Sequence, residues 1–522
     1  MKRIYIITCI LLSTLIVTTS CNPEDKFLNP EKTTEGNISL LFTGMLNNAR
    51  FRTEYYQVRT MAAEHTGRYT QTLILPNSAG QYRQIESYVG HYWRDFYTTE
   101  YGGPMGIYRL METVNKGLSS EDQAANDIFF KASKIVLYDY ASGLIDMFGD
   151  IPFAEAGSLP TNNEITPAKF ENQQALYKTM IDELDVLATY FATAVATPAF
   201  TKQDILIGGK VTKWRQYANS LRLRMLIHMS YSDEAYAKEK IMAILNDASK
   251  YPLIDGDNNP NYKPETSDVL NAPLTTFTDA LTQALNEGLS KIAPDYMVNK
   301  LLVPTKDPRL SVMFDKNDLP DYIGMPINTP GDSQSASSSD YSCWDSTTVW
   351  MNKNLPGVRL TASEVNFIKA EAQQRWGDPA KAKTAYETAV KQSVTFYYYL
   401  NHLNNNSSGG GFSIEDKPSD DEINKFVTER IAYAGTLDQR LELIGTQKWL
   451  HFGWLQSIEC WTEYRRTKYP KLLAFPSVGM DAGYTQPPTR LRYPSAETAY
   501  NPNYADVQAQ DTRDTKIFWD VK

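Results

Sequence analysis

The sequence predicts a mainly α-helical protein, and three observations support that prediction. Apolar residues recur at helical spacing over several long segments, as at Leu176, Met180 and Leu184. Alternating apolar and polar runs, which are typical of strands, are few. One segment has the spacing of small and aromatic residues that is found in helical repeats. We therefore expect one large helical body.

The first 37 residues are predicted to lie outside that body. Two basic residues precede the apolar stretch 4–17, an order typical of an export signal. The stretch is too short to span a bilayer, since a spanning helix needs about 20 apolar residues. Cys21 follows where cleavage is expected, as in a bacterial lipoprotein signal. We expect residues 1–20 to be removed, Cys21 to carry lipid and residues 21–37 to form a tether. An ordinary export signal with an incidental cysteine is the alternative.

Several longer segments are predicted as helices of the body. Residues 135–148 are apolar on nearly every face, which indicates a buried helix that ends at Gly149 and Pro152. Residues 171–192 form an amphipathic pattern, and residues 441–464 are predicted as another long helix. The last segment contains tryptophans at helical spacing that we assign to the core, namely Trp449, Trp454 and Trp461.

A repeat pattern predicts a close helical hairpin near residue 380. Gly377, Ala382, Tyr386 and Ala389 lie at the offsets of a tetratricopeptide repeat, and Ala370 lies seven residues before the glycine. Small residues at these positions let two antiparallel helices approach, and the aromatic ring fills the gap between helix pairs. The closing proline of the repeat is absent.

Residues 318–360 are predicted as a loop insertion rich in turn-forming residues. A long irregular insertion in a compact protein is usually functional or disordered. This one contains Tyr322, Tyr341, Trp344 and Trp350, which argues against disorder. Because the segments that predict the body lie outside it, we expect the body to be rigid and independent of this loop.

The composition excludes several classes of function. The formal net charge of −9 disfavours binding to nucleic acid or anionic lipid. Two of the four cysteines, Cys9 and Cys21, lie in or beside the export signal, so a disulfide framework is not expected. Tyrosine is abundant, with 33 residues, and such rings either bury area or stack on flat ligand faces.

Enzyme motifs are scarce. The five histidines have no spacing typical of a zinc site, so neither a metal site nor a cofactor is predicted. Asp139 and Asp146 share one face of a predicted buried helix, and paired carboxylates serve glycosidases. A buried acid in a helical scaffold more often binds an arginine, and Arg222 and Arg224 lie in another predicted helix. We expect no catalytic residues. A further set of residues is predicted to form a structural ion-pair cluster, namely Glu459, Glu463, Arg465 and Arg466.

Several segments, taken together, resemble the SusD/RagB family of outer-membrane lipoproteins of Bacteroidetes. They are the lipid cysteine at position 21, "YDYASGLIDMFGDIPFAEA" at 138–156, "KWRQYANSLRLRM" at 213–225, "SEVNFIKAEAQQRWGD" at 363–378, "IGTQKWLHFGWLQSIECWTEYRRTKYP" at 444–470 and "PTRLRYPSAETAYN" at 488–501. The resemblance implies a right-handed bundle of tetratricopeptide-like helix pairs, a single domain over residues 38–522, with loops on one side that hold the ligand.

The resemblance also implies partners and a location. The partner is a TonB-dependent outer-membrane transporter of the SusC type, over which the lipoprotein lies as a lid. The ligand is typically an oligosaccharide, or a peptide in the RagB branch. Acids just after the lipid cysteine, here Glu24 and Asp25, resemble the signal for the cell surface. We therefore expect a cell-surface glycan-binding lipoprotein, with peptide capture, or less plausibly a lipoprotein glycosidase, as alternatives.

The resemblance does not identify the ligand contacts, because the binding loops vary most within the family. An aromatic ring stacks on the apolar face of a sugar, and polar side chains bind its hydroxyls. The stretch 65–88 and the loop 318–360 contain both kinds of residue. The predicted contacts are Tyr69, Tyr82, Arg83, Tyr341, Trp344, Asp345 and Trp350. The alternative is that these aromatic rings only fix the loops to the helical body.

Overall fold

The computed structural model describes residues 36–158, 167–256, 261–273, 280–287, 290–331, 339–404 and 414–522. The predicted signal peptide, the lipid site Cys21 and all but the last two residues of the predicted tether lie outside the described residues.

The described part of the chain is mainly helical, as predicted. Its α-helices of six or more residues are α1 (Ile38–Leu46), α2 (Glu86–Tyr97), α3 (Pro104–Lys116), α4 (Ser120–Phe148), α5 (Gln173–Phe191), α6 (Pro198–Gln203), α7 (Val211–His228), α8 (Glu234–Asn246), α9 (Ala280–Asn286), α10 (Ala362–Trp376), α11 (Pro379–His402), α12 (Asp420–Lys425), α13 (Leu437–Phe452), α14 (Ser457–Thr467) and α15 (Ser495–Tyr500). Wider π-type helical turns span Tyr56–Thr66, Tyr296–Leu302, Ser346–Trp350 and Phe426–Arg430. Among these described helices, none is long and apolar enough to cross a membrane.

Strands are short and tie connecting segments to one another. Within the described residues they are β1 (Ile151–Pro152), β2 (Phe170–Glu171), β3 (Val269–Asn271), β4 (Phe314–Asp315), β5 (Cys343–Trp344) and β6 (Gly357–Leu360). Strand β1 pairs with β2, β3 with β6 and β4 with β5, each antiparallel. In the last pair Phe314 lies opposite Trp344.

Helices α10 and α11 form the predicted hairpin and pack closely along their length. Ala370, Ala382, Tyr386 and Ala389 are all fully buried. The Tyr386 hydroxyl donates a hydrogen bond to the carbonyl of Ile431 at 3.1 Å, so the ring spans the gap to the next segment. The repeat spacing therefore predicted this pair correctly.

Helix α4 extends further toward its N-terminus than the apolar pattern predicts. It begins at Ser120 rather than near residue 135, and the side chain of Ser119 caps it by accepting a hydrogen bond from the Asp122 N–H at 3.1 Å. Its first turns are polar and mostly exposed, so apolar periodicity could not reveal them. The helix ends at Gly149, as predicted.

The predicted long helix 441–464 is two helices, and that prediction is wrong in detail. Gly453 has a φ of +47°, in the left-handed region, and separates α13 from α14. The three tryptophans are nevertheless core residues, as predicted. Their exposed fractions are 2% for Trp449, 2% for Trp454 and 1% for Trp461.

Residues 342–350 of the segment 318–360 pack into the helical core, so the expectation that the body is independent of this segment is wrong for that part. Trp344 is 1% exposed, and its ring centroid lies 4.5 Å from that of Phe314 and 6.3 Å from that of Trp454. It belongs to the same apolar cluster as residues of α11 and α13. The segment is therefore part of the fold.

Candidate ligand-binding site

The two acids that suggested a hydrolase lie in a buried network of charged residues. Arg224 on α7 donates hydrogen bonds of 2.6 and 2.8 Å to the two carboxylate oxygens of Glu364. A further nitrogen of Arg224 lies 3.3 Å from Asp139, which also binds Arg359 and the hydroxyl of Tyr217. Both oxygens of Asp139 are thus engaged, as the sequence predicted for a structural acid beside an arginine.

Asp146 contacts a different part of the network. The His228 ring lies between two acids, with Nδ1 3.2 Å from Asp146 and Nε2 3.3 Å from Glu459. Burial alone would lower the pKa of His228, but the charges of Asp146 and Glu459 raise it to about 9. One atom from each of these three residues lies within 4.8 Å of the others, a spacing that could hold a metal ion. Nδ1 faces Asp146 and the Tyr177 hydroxyl, which is 2.9 Å away, and Nε2 faces Glu459, so the arrangement suits an imidazolium between two anions.

The predicted ion-pair cluster on α14 is correct for one arginine and wrong for the other. Arg466 binds Glu463 at 2.7 Å and Glu371 at 2.5 Å, and it is fully buried. Arg465 instead donates to the backbone carbonyl of Asp146 at 2.7 Å and lies 3.6 Å above the ring of Trp461. These buried charges on α14 fix it to the neighbouring helices.

A second candidate region, which we call the loop face, consists of residues 69–83, 325–331, 339–341 and 473–486. The first two segments are joined by backbone hydrogen bonds at Asn77, whose N–H donates to Thr329 at 2.7 Å and whose carbonyl accepts from Gly331 at 2.6 Å. Tyr341 is half-buried and packs against a small apolar cluster that includes Ile74 and Met325. The structure therefore brings together the two stretches that the sequence predicts to bind a ligand.

The segment 473–486 completes the loop face and was missed in the sequence. The Gln71 side chain donates to the carbonyl of Leu473 at 2.7 Å, and the Tyr82 N–H donates to that of Gly479 at 3.1 Å. The stretch "FPSVGMDAGYTQPP" at 475–488 combines prolines, glycines and a tyrosine. The same combination of turn formers and aromatic residues predicted a ligand-binding loop at 318–360, so the sequence contained a signal for this segment as well.

Charged and aromatic groups converge on the exposed side of this segment. Asp481 binds Arg83 at 2.7 Å and Arg513 at 3.0 Å. The Arg513 guanidinium lies 3.9 Å from the ring centroid of Tyr484, and Tyr484 is 39% exposed. One aromatic ring and three charged groups thus lie together at the surface, which is the combination that a sugar requires.

The seven predicted contacts differ in exposure. The Arg83 side chain is 66% exposed, Tyr341 and Trp350 are half-buried, and the remaining four are buried. The buried residues are Tyr69, Tyr82, Trp344 and Asp345. The first three pack against rings of the protein itself, namely Trp461, Phe475, and Phe314 with Trp454. These rings have no free face for a sugar in this structure, and their contact with a ligand stays a prediction.

Trp350 and Asp345 have local partners as well. The Lys291 ammonium lies 4.6 Å from the ring centroid of Trp350. Asp345 caps the turn Ser346–Trp350 by accepting a hydrogen bond from the Thr348 N–H at 2.6 Å. Burial and the neighbouring charge of Asp315 raise the pKa of Asp345 to about 8. In this structure Asp345 is therefore a buried residue that stabilises the turn Ser346–Trp350.

With this geometry defined, the chain can be compared with known proteins. Its sequence matches, over residues 30–494, the SusD-like family that is described as starch-binding and associating with the outer membrane. The chain belongs to the SusD-like family. The resemblance seen in the sequence is therefore confirmed, and so is the helical architecture that it implied. No curated protein matches the chain.

Solved structures of SusD-like proteins share this fold. A chitin-binding protein superposes with a TM-score of 0.72 at 23% identity, covering 93% of this chain and 100% of its own. A SusD-like protein of Bacteroidetes gives 0.71 at 20% identity, with 93% and 100% covered. A chitin-binding SusD homologue of Flavobacterium johnsoniae gives 0.70 at 20% identity, with 93% and 99% covered. At these identities the likeness concerns the fold.

Proposed function

We propose that this SusD-like chain is a cell-surface lipoprotein that binds oligosaccharides and delivers them to a TonB-dependent outer-membrane transporter. The observation that carries the proposal is the family match over residues 30–494, because that family is described as starch-binding and associating with the outer membrane. Two proteins of the same fold are described as chitin-binding. The proposed anchor is lipid on Cys21, and no catalytic role is assigned to any residue.

The loop face is the proposed binding surface. Tyr484 offers a partly exposed ring on which the apolar face of a sugar can stack. Arg83, Asp481 and Arg513 can bind hydroxyls beside it. An exposed ion pair contributes only about 0–1 kcal/mol, so Arg83, whose side chain is 66% exposed, can exchange Asp481 for a ligand at small cost. Tyr341 is the half-buried ring of the adjoining segment and is proposed to extend the surface.

Isothermal titration of the soluble chain with starch and chitin oligosaccharides tests this proposal. We expect a dissociation constant in the micromolar to millimolar range, because one or two stacking contacts of about 1 kcal/mol are partly offset by ordering of the ligand. Tyr484→Ala should weaken binding about fivefold, because it removes one contact of about 1 kcal/mol. Tyr236→Ala is the matched control, since Tyr236 is a half-buried tyrosine of α8 that lies between Lys178 and Lys240. Binding of peptide mixtures without binding of glycans would overturn the proposal in favour of peptide capture.

The anchor and the transporter require separate experiments. A fatty-acid probe should label the wild-type chain in cells and should not label Cys21→Ala; labelling of the variant would exclude lipid on Cys21. Titration of the transporter complex should give tighter binding than the chain alone, because the barrel would enclose the second face of the ligand. Equal affinities would exclude the arrangement in which the chain acts as a lid.

A further inference from the structure

A cavity of about 100 Å³ lies in the helical body beside the buried charge network. Its walls are formed by residues 50–53 with 57–62, by α4 and α7, by β6 and by the connection between α13 and α14. A bound water needs about 10–15 Å³ of such space, so the cavity can hold several waters or a small ligand group. The described residues that line it include none of the seven predicted contacts and none of the loop face.

Four residues that line this cavity have a buried polar atom with no hydrogen-bond partner in the described part of the chain. These atoms are Nε of Arg52, the indole Nε1 of Trp454, Oε1 of Gln57 and Oε2 of Glu459. Arg52 is 5% exposed and Trp454 is 2% exposed. Leaving such a group unpaired costs about 1–3 kcal/mol, so two donors and two acceptors on one cavity indicate a polar occupant that both accepts and donates hydrogen bonds.

The charges around the cavity favour an anion. Four arginines and two carboxylates line it, namely Arg50, Arg52, Arg224 and Arg359 with Asp139 and Glu459. Glu459 lies 3.3 Å from His228 and 3.6 Å from Arg224, so its charge is balanced. Arg50 binds Asp95 at 2.9 Å, and Arg359 binds Asp139. Among the lining residues the arginines thus exceed the acids, but three of the four arginines already have a carboxylate partner.

Arg52 differs from the other three arginines. It has no ion pair with any described carboxylate, and its guanidinium donates to the side-chain oxygen of Asn47 at 2.6 Å. Glu54 acts on it at longer range: burial lowers the pKa of Arg52 and the charge of Glu54 raises it. A buried guanidinium with a free N–H is a strong donor for a carboxylate, because hydrogen bonds between ions are about twice as strong as neutral ones.

We propose that the cavity is a binding site for a small carboxylate, separate from the loop face. The carboxylate would accept hydrogen bonds from Nε–H of Arg52 and from the indole N–H of Trp454. The amide oxygen of Gln57 and the carboxylate oxygen Oε2 of Glu459 would accept hydrogen bonds from hydroxyl groups on the rest of the ligand. Simple organic acids and the carboxylate of an acidic sugar share this chemistry, and the choice between them depends on how much of a sugar ring the cavity admits.

Titration of the full-length soluble chain with acetate, glucuronate and glucose tests the proposal. We expect at least one acid to bind, with glucose, the neutral matched sugar, failing to compete with it. Binding of glucuronate more tightly than acetate identifies an acidic sugar, whereas binding of acetate alone identifies a simple acid. If neither acid binds, or if glucose displaces them, the proposal is wrong.

Variants of the cavity give opposite and separable effects. Trp454→Phe keeps a ring and removes the N–H, and Arg52→Gln removes the charge; each should weaken binding of the acid roughly tenfold or more. Glu54→Gln should strengthen binding, because it removes the negative charge that acts on Arg52. Unchanged affinity in all three would overturn the proposal. If Arg52→Gln fails to fold, the other two variants decide.

The cavity and the loop face can be tested independently. Tyr484→Ala should leave binding of the acid unchanged, since Tyr484 does not line the cavity. If the wild-type chain does not bind glycans, the proposed function is wrong, but titration with the acids still tests the cavity site. Loss of acid binding in Tyr484→Ala would instead show that the two regions are one site and would overturn the proposal of a separate cavity site.

Discussion

The buried network of the helical body and the loop face both contain ion pairs between arginine and carboxylate. The pairs are buried in the first region and exposed in the second. Arg466 binds Glu371 and Glu463 with no exposed side-chain area, whereas Arg83 binds Asp481 with 66% of its side chain exposed. Breaking a buried pair leaves an uncompensated charge out of water, whereas an exposed pair can exchange its partner for water or a ligand. Exposure therefore separates arginines that hold the fold from arginines that are available for binding.

Two aromatic residues show the same difference between the buried core and the loop face. Trp344 lies on a two-residue strand and is 1% exposed, whereas Tyr484 lies in an irregular segment and is 39% exposed. Both come from turn-rich stretches of sequence. An aromatic residue in such a stretch can therefore fix the segment to the core or remain available to a ligand, and its depth decides which.

The largest expected effect is that of Arg466→Ala in the buried network. Removing one partner of a buried ion pair typically costs about 3–5 kcal/mol, and here Glu371 and Glu463 each lose one of two cationic partners. Urea unfolding followed by circular dichroism measures the change. A loss below about 1 kcal/mol would show that the buried pairs behave like exposed ones and would break the comparison.

Trp344→Ala should follow closely, with a loss of about 3–5 kcal/mol from the cavity that it leaves. Tyr341→Ala, three residues away and half-buried, is the matched control and should cost about 1 kcal/mol. Thermal melts of the two variants compare them directly. Equal and small shifts would show that the segment 318–360 is independent of the body after all.

The helical body was largely predictable from the sequence because helix packing is periodic. The repeat around Gly377 and the tryptophans Trp449 and Trp461 follow helical spacing, and burial confirmed both assignments. The break at Gly453 was missed, since one glycine inside an apolar pattern does not by itself end a helix. The first turns of α4 are polar, so they show no apolar periodicity from which a helix could be predicted.

The loop face was predictable only in part. Turn formers mixed with aromatic residues singled out the early stretch 65–88 and the loop 318–360. The structure brings those two stretches together at Asn77. Depth could not be predicted: strand β5 is only two residues long, so Trp344 has no alternation that would reveal its buried face. The ion pairs of Asp481 join residues far apart in sequence and leave no local signal.

A smaller effect is expected from pH, through His228 in the buried network. Its pKa in the folded state is about 9 against 6.5 in the unfolded chain, so between these values the folded state binds a proton that the unfolded state does not. Stability should therefore be full below pH 6.5 and fall as pH rises toward 9, by on the order of 2–3 kcal/mol.

The variant His228→Gln isolates this contribution. Other buried acids also titrate in this range, since burial raises the pKa of Asp268 to about 7 and that of Asp345 to about 8. The difference between wild type and His228→Gln at each pH cancels their effect. That difference should shrink from pH 6 to pH 9; a difference that stays constant would mean that His228 is neutral between Asp146 and Glu459.

The smallest effect on stability, and the one that separates the two regions most sharply, is expected from Arg83→Ala. Its ion pair is exposed, so the free energy of unfolding should change by less than about 1 kcal/mol. Lys240→Ala, which breaks the exposed pair with Asp182 between α5 and α8, should cost as little. Only Arg83→Ala should weaken glycan binding, by up to about tenfold for one lost charged hydrogen bond, because of these two residues only Arg83 belongs to the loop face, where it binds Asp481. Titration and urea unfolding of both variants give the two readouts. If Arg83→Ala destabilises the fold while glycan affinity is unchanged, then exposure does not identify the arginines that are available for binding. The loop face would then have a structural role, like the buried network.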